Sequence, residues 1–85
     1  MPNIEMYTTK ICPYCVRAKA LFESKGVKVT EIDVSDDEDL RNKMMQRAAG
    51  RRSVPQIFIG DRHIGGCDDL YALNAKGELD SLLKG

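Results

Sequence analysis

Lys10-Ile11-Cys12-Pro13-Tyr14-Cys15 sets two thiols at the junction of two unlike patterns, and the reading of the fold starts there. Upstream, Ile4-Glu5-Met6-Tyr7-Thr8-Thr9 alternates apolar and polar residues and predicts a strand. Downstream, Pro13 to Lys25 reads as a helix. Pro13 suits its first turn, where the missing N–H would be unpaired anyway. At about 100° per residue, Cys15, Ala18, Leu21 and Phe22 share one arc, with Arg17, Lys19, Glu23 and Ser24 outside it. Lys25 and Gly26 supply a basic last turn and a left-handed cap.

Val27-Lys28-Val29-Thr30-Glu31-Ile32-Asp33-Val34 alternates with period two and predicts a second strand. Strand, helix and strand in so short a span make a βαβ unit, which implies parallel pairing. Ser35-Asp36-Asp37-Glu38 fits a capping box ahead of a second helix from about Asp36 to Ala48, with Leu40, Met44 and Ala48 inward and Gly50 ending it. Carboxylates from Asp36 to Asp39 would complement that helix's dipole. Arg51-Arg52-Ser53-Val54-Pro55 is a loop, and Gln56–Ile59 and Arg62–Ile64 form a hairpin about the Gly60-Asp61 turn. Gly65-Gly66-Cys67-Asp68-Asp69 leads into a third helix through Leu70, Tyr71, Leu73 and Asn74, and Glu78 to Lys84 makes a last helical piece.

The totals narrow the function. Eighty-five residues make one domain, 1–85. Thirteen basic and thirteen acidic residues cancel, so the expected partners include neither nucleic acid nor a membrane surface. No apolar run approaches the roughly 18–20 residues that span a bilayer. Met1-Pro2-Asn3-Ile4-Glu5 lacks the basic start and apolar run of a leader, and three cysteines are too few for a secreted disulfide scaffold. The expectation is a cytoplasmic protein with working thiols.

Residues i and i+3 on a helix stand about 5–6 Å apart at Cβ, within reach of disulfide closure. Cys12 stands at the helix start, where free N–H groups and the dipole stabilise a thiolate, and Lys10 adds a cationic field. Cys15 points along the apolar arc. Since the thiolate is the attacking species, Cys12 is the expected nucleophile and Cys15 the resolving thiol. Two other readings stay open on the residues alone: a structural pair packed in the core, or a zinc site of Cys12, Cys15, Cys67 and His63. The strand-to-helix setting favours redox.

Cys12-Pro13-Tyr14-Cys15, Ser53-Val54-Pro55-Gln56 and Gly65-Gly66-Cys67-Asp68 together make the chain resemble a dithiol glutaredoxin of the short bacterial type, from Ile4 to Leu83. The resemblance implies an α/β, thioredoxin-like fold: a four-stranded mixed sheet, its first two strands parallel and its last two an antiparallel hairpin, flanked by three main helices and a short C-terminal helical piece. It implies a cis Val54-Pro55 bond and glutathione as co-substrate, with no permanently bound cofactor and no metal.

In the implied site, Val54 pairs with the cysteine backbone of glutathione. The helix start at Gly66-Cys67-Asp68 receives the γ-glutamyl carboxylate, and Asp68 holds its ammonium. Tyr14 lies beside the tripeptide, with Ser53 and Pro55 in the loop that faces it. Lys10 and a residue of the second helix face the glycyl carboxylate. Where relatives often carry Gln or Arg, eleven residues before Ser53, this chain has Asn42 with Arg41 adjacent. Implied partners are glutathionylated or disulfide-containing proteins, with ribonucleotide reductase a candidate client, met by a monomer. Without the resemblance, Asp68 and Asp69 read as helix caps, Arg51 and Arg52 as a solvated rim, and His63 as a strand-edge surface residue.

Overall fold

The structure is a computed structural model that describes residues 2–84. Its elements are β1 (Ile4–Thr8), α1 (Pro13–Ser24), β2 (Thr30–Asp33), α2 (Glu38–Arg47), β3 (Gln56–Ile59), β4 (Arg62–Gly65), α3 (Cys67–Ala75) and α4 (Glu78–Leu83). The four strands form one sheet in the order β2-β1-β3-β4. β1 pairs in parallel with β2 and antiparallel with β3, and β3 pairs antiparallel with β4. This is the mixed sheet that the resemblance implies.

Strand alternation divides the core into two parts. Ile4 and Met6 of β1, with Ile57 and Ile59 of β3, pack against Cys15, Ala18 and Phe22 of α1, Cys67 and Leu70 of α3, and Leu79 and Leu83 of α4. Tyr7 and Phe58 instead meet Val34, Met44 and Ala48 on the α2 side. Both central strands are therefore covered on both faces, as their burial shows. The predicted arc of α1 holds, with Leu21 half-buried at its margin.

Two boundaries differ from the sequence reading by more than one residue. β2 begins at Thr30, so Val27-Lys28-Val29 is not strand. The cause is the end of α1: Gly26 (φ +74°) donates to Glu23 O at 3.0 Å and Val27 to Phe22 O at 3.3 Å, a Schellman turn. Val27 is still closing the helix and packs in the same cluster as Phe22. Pairing with β1 then starts at Glu5 opposite Thr30.

The second difference is the start of α2. Asp37, not Ser35, caps it, accepting the Leu40 N–H at 3.0 Å. The Ser35 hydroxyl accepts the Lys10 N–H at 2.8 Å, while Ser35 N–H donates to Asp33 Oδ1 at 2.8 Å. These two bonds hold Ser35 in the β2–α2 turn and move the helix start two residues on. Hydrogen bonding from Ser35 to Asp33, by its hydroxyl first and then its N–H, holds the Asp33 carboxyl below its usual range.

Candidate active site

Cys12 is the N-cap of α1, with extended backbone (φ −149°, ψ 92°) and Pro13 next in the chain. Its sulfur takes the place of the usual capping oxygen, accepting the Cys15 N–H at 3.1 Å. Cys12 and Cys15 are joined as a disulfide with Cα atoms 5.2 Å apart. Cys15 is buried in the α1 side of the core, while Cys12 is half-buried, so the two sulfurs differ in access as expected. No acidic residue occupies the first turn of α1. Nothing there opposes the field of the helix on a Cys12 thiolate.

The Cys12 sulfur lies 3.9 Å from Val54 O, and the Val54-Pro55 bond is cis. Among the described residues, no backbone hydrogen bond engages the Val54 N–H. Beside this loop opens a cleft of about 150 Å³, lined by Tyr14, Ser53, Val54 and Pro55 on one side and Gly66, Cys67 and Asp68 on the other. Arg51 and Asp69 line it too: they form an ion pair at 3.1 Å, and Asp69 also accepts the Gly66 N–H at 2.9 Å. These partners, the Gly66 N–H first, hold the Asp69 carboxyl below its usual range. A larger hollow of about 520 Å³ lies at the far end of α1, between Lys25 and Leu83. It has no thiol, so its size does not make it the site.

Most of the anticipated residues converge on the cleft. Five do not line it: Lys10, Cys12 and Cys15 border a second hollow, and Arg41 and Asn42 lie elsewhere. Lys10 pairs with Asp36 at 2.6 Å, with both side chains largely in solvent. Arg41 reaches the loop from behind, donating to Arg52 O at 3.2 Å. Asn42 borders a different hollow, with Met45, Gln46 and Gly50. Cys67 is 4% exposed, and burial pushes its thiol up. The zinc arrangement is not assembled: among the described residues no group of three His, Cys, Asp or Glu side chains could hold an ion.

Several residues that shape this region gave little signal in the sequence. Arg51 is tied to Asp69 and is not a free rim charge. Arg47 lies 4.0 Å over the Phe58 ring and donates to Tyr7 Oη at 2.9 Å and Glu5 Oε1 at 3.1 Å. Gln56, with no exposed surface, donates to Ser53 O at 2.9 Å and Ser53 Oγ at 3.3 Å. His63 is half-buried, 4.9 Å from the Phe58 ring in a stacked arrangement, with Nε2 2.7 Å from Gln56 Oε1. Burial first, then Arg51 and Arg47 against Asp69, lowers its pKa below 6.5. The one visible cue was a polar residue, Gln56, opening an otherwise apolar strand.

A dithiol at a strand–helix junction, faced by a cis-proline loop on a four-stranded mixed sheet, defines a thioredoxin-like thiol–disulfide oxidoreductase. The glutaredoxin family profile matches residues 4–64. The chain is 57% identical over 84 residues to Glutaredoxin 3 of Escherichia coli (strain K12), covering 99% of this chain and all of that one. The solution structure of glutaredoxin from Brucella melitensis superposes with a TM-score of 0.86 at 56% identity, covering 99% of this chain and 90% of that one. A buckwheat glutaredoxin–glutathione complex superposes with a TM-score of 0.87 at 31% identity, covering 98% and 77%. The chain belongs to the glutaredoxin family, and its activity is glutathione-dependent thiol–disulfide oxidoreduction.

Proposed function

We propose that glutathione lies in the cleft beside Cys12, its cysteine backbone paired with Val54 and its γ-glutamyl carboxylate at the start of α3. Asp68 takes the ammonium of the same unit, and Tyr14, Ser53 and Pro55 line its path. The Arg41 guanidinium, already against the Arg52 carbonyl, is better placed than Asn42 for the glycyl carboxylate, with Lys10 available once it leaves Asp36. The observation that carries this reading is the cleft itself, which joins the Ser53–Pro55 loop and the α3 start beside the Cys12 sulfur.

In the first route, the Cys12 thiolate attacks a protein–glutathione disulfide at the glutathione sulfur. A Cys12–glutathione disulfide forms and the protein thiolate leaves, taking up a proton. A second glutathione, as thiolate, attacks that bond, giving glutathione disulfide and free Cys12. In the second route Cys12 opens a protein disulfide and Cys15 displaces the bound protein sulfur, closing Cys12–Cys15; two glutathiones reopen it. Glutaredoxin potentials of about −200 to −230 mV suit recycling by the glutathione pool.

The clients are glutathionylated and disulfide-bearing proteins, with ribonucleotide reductase a candidate, met by a cytoplasmic monomer of one domain. No helix among the described residues is long and apolar enough to cross a membrane. A coupled assay with glutathione, glutathione reductase and NADPH on a glutathionylated peptide tests the reading. Turnover dependent on Cys12 supports it, and activity only with a thioredoxin-reductase system would overturn it.

A further inference from the structure

We propose that Gln56 and His63 are positioning residues for glutathione: bonded to each other across the β3–β4 hairpin, they hold Ser53 and thereby the Val54 backbone beside Cys12. The proposal rests on the reading of the Ser53–Val54 loop as a wall of the glutathione site.

Ser53 lies outside the sheet, where no ladder partner fixes its backbone. Its carbonyl can only accept, so the Gln56 amide must present its NH₂ there, at 2.9 Å, with a second contact to Ser53 Oγ at 3.3 Å. That orientation turns Gln56 Oε1 toward His63, 2.7 Å from Nε2. Two acceptors cannot share that contact, so Nε2 carries a proton. The neutral Nε2–H tautomer suffices, and the surroundings favour a neutral ring: burial and the cations of Arg51 and Arg47 outweigh Asp69.

The imidazole is fixed in turn. It stacks on Phe58, with ring centroids 4.9 Å apart, and Arg47 rests 4.0 Å over the same Phe58 ring. The chain of contacts thus runs from the α2 side of the core, through His63 and Gln56, to Ser53 and the loop. A fully buried amide has no packing advantage over Met or Leu at this position. What it adds is an NH₂ group aimed at Ser53, one residue beyond the Arg52 carbonyl that Arg41 holds.

Gln56→Met fills the volume without the bonds, and His63→Phe keeps the stack on Phe58 but loses the donor. In the coupled assay with a glutathionylated peptide, Gln56→Met should raise KM about fivefold, as expected for one or two lost hydrogen bonds. Its kcat should stay within about twofold, and the ultraviolet titration of the Cys12 thiolate should not move. His63→Phe should raise KM about two- to threefold, because Gln56 keeps its contacts to Ser53 but loses its anchor. A purely structural role would lower the melting temperature and leave KM alone.

Asp68→Ala runs beside them as the control for the glutathione site. If it raises KM while both other variants match the parent, the positioning role is overturned and the glutathione reading stands. If none of the three changes KM, both are overturned. Should Gln56→Met fail to fold, His63→Phe decides alone, and an unchanged KM overturns the proposal.

Discussion

Two helices begin beside the cleft, and each begins at a cysteine. At α1, Cys12 is the N-cap, half-buried, with a backbone N–H aimed at its sulfur and no carboxylate in the first turn. At α3, Cys67 is the first helical residue, 4% exposed, with Asp68 and Asp69 in the same turn and the Gly66 N–H already taken by Asp69. The same element, with the same dipole, leaves one sulfur within reach of water, as the proposed attacker must be, and packs the other into the core. A helix N-terminus activates a thiol only where the thiol reaches water and the N–H groups are not committed elsewhere. At α3 the Gly66 N–H is committed to Asp69 and the Cys67 thiol is shut away from water.

The largest effects should come from removing the active half of this comparison. Cys12→Ser should reduce both the glutathionylated-peptide and the protein-disulfide assays to background. Cys15→Ser should keep the first and lose the second, because only the second needs a resolving thiol. Equal loss of both activities in Cys15→Ser would erase the division of labour between the sulfurs. Next in size is Asp68→Ala. Losing a charge-assisted bond of about 1.5–3 kcal/mol should raise KM for the glutathionylated peptide some ten- to a hundredfold, with a smaller change in kcat. An unchanged KM would remove Asp68 from the site.

How much of this could be read from the residues depends on the range of the interaction. Cys12, Pro13 and Cys15 lie within one helical turn, so motif and phase sufficed for the helix start and the unequal access of the two sulfurs. The apolar faces of α1 and β3 were legible for the same reason. Alternation extends the strand to Val27 because it cannot show that the Val27 N–H is drawn back to Phe22. The capping pattern points to Ser35 because it cannot show that the Ser35 hydroxyl serves Lys10, 25 residues away. The cis Val54-Pro55 bond came with the family resemblance; the residues alone favour trans. The Arg51–Asp69 pair and the His63–Gln56 contact, 18 and 7 residues apart, exist only once the hairpin register is set.

The quiet half of the comparison makes its own claim. Burial pushes the Cys67 thiol above its usual value of 9.0, so the native state favours the neutral form. That contribution to stability is fully present below pH 9 and is lost as pH rises through the folded-state value. Cys67→Ala should cost about 1 kcal/mol at pH 7 and flatten the decline in stability above pH 9, measured by urea unfolding across pH. In the reduced native protein at pH 7, Cys67 should alkylate about 100-fold more slowly than Cys12. Comparable rates, read by mass spectrometry, would end the distinction between the two helix starts.

The subtlest test gives α1 what α3 already has. Val16 is 68% exposed and follows Cys15 in the chain, beside the thiols, so Val16→Glu adds a carboxylate without disturbing the core. The new charge interacts favourably with the helix start, which should raise stability slightly. It competes with the Cys12 thiolate for the same field. An interaction of about 0.3–1 kcal/mol corresponds to an upward shift of about 0.2–0.7 pH unit in the thiolate titration. Val16→Gln controls for shape, and salt should shrink the difference because the site is open to solvent. The sign decides the matter: an acid titration that stays with the glutamine control, or moves down, would mean that the bare first turn of α1 is not what separates Cys12 from Cys67.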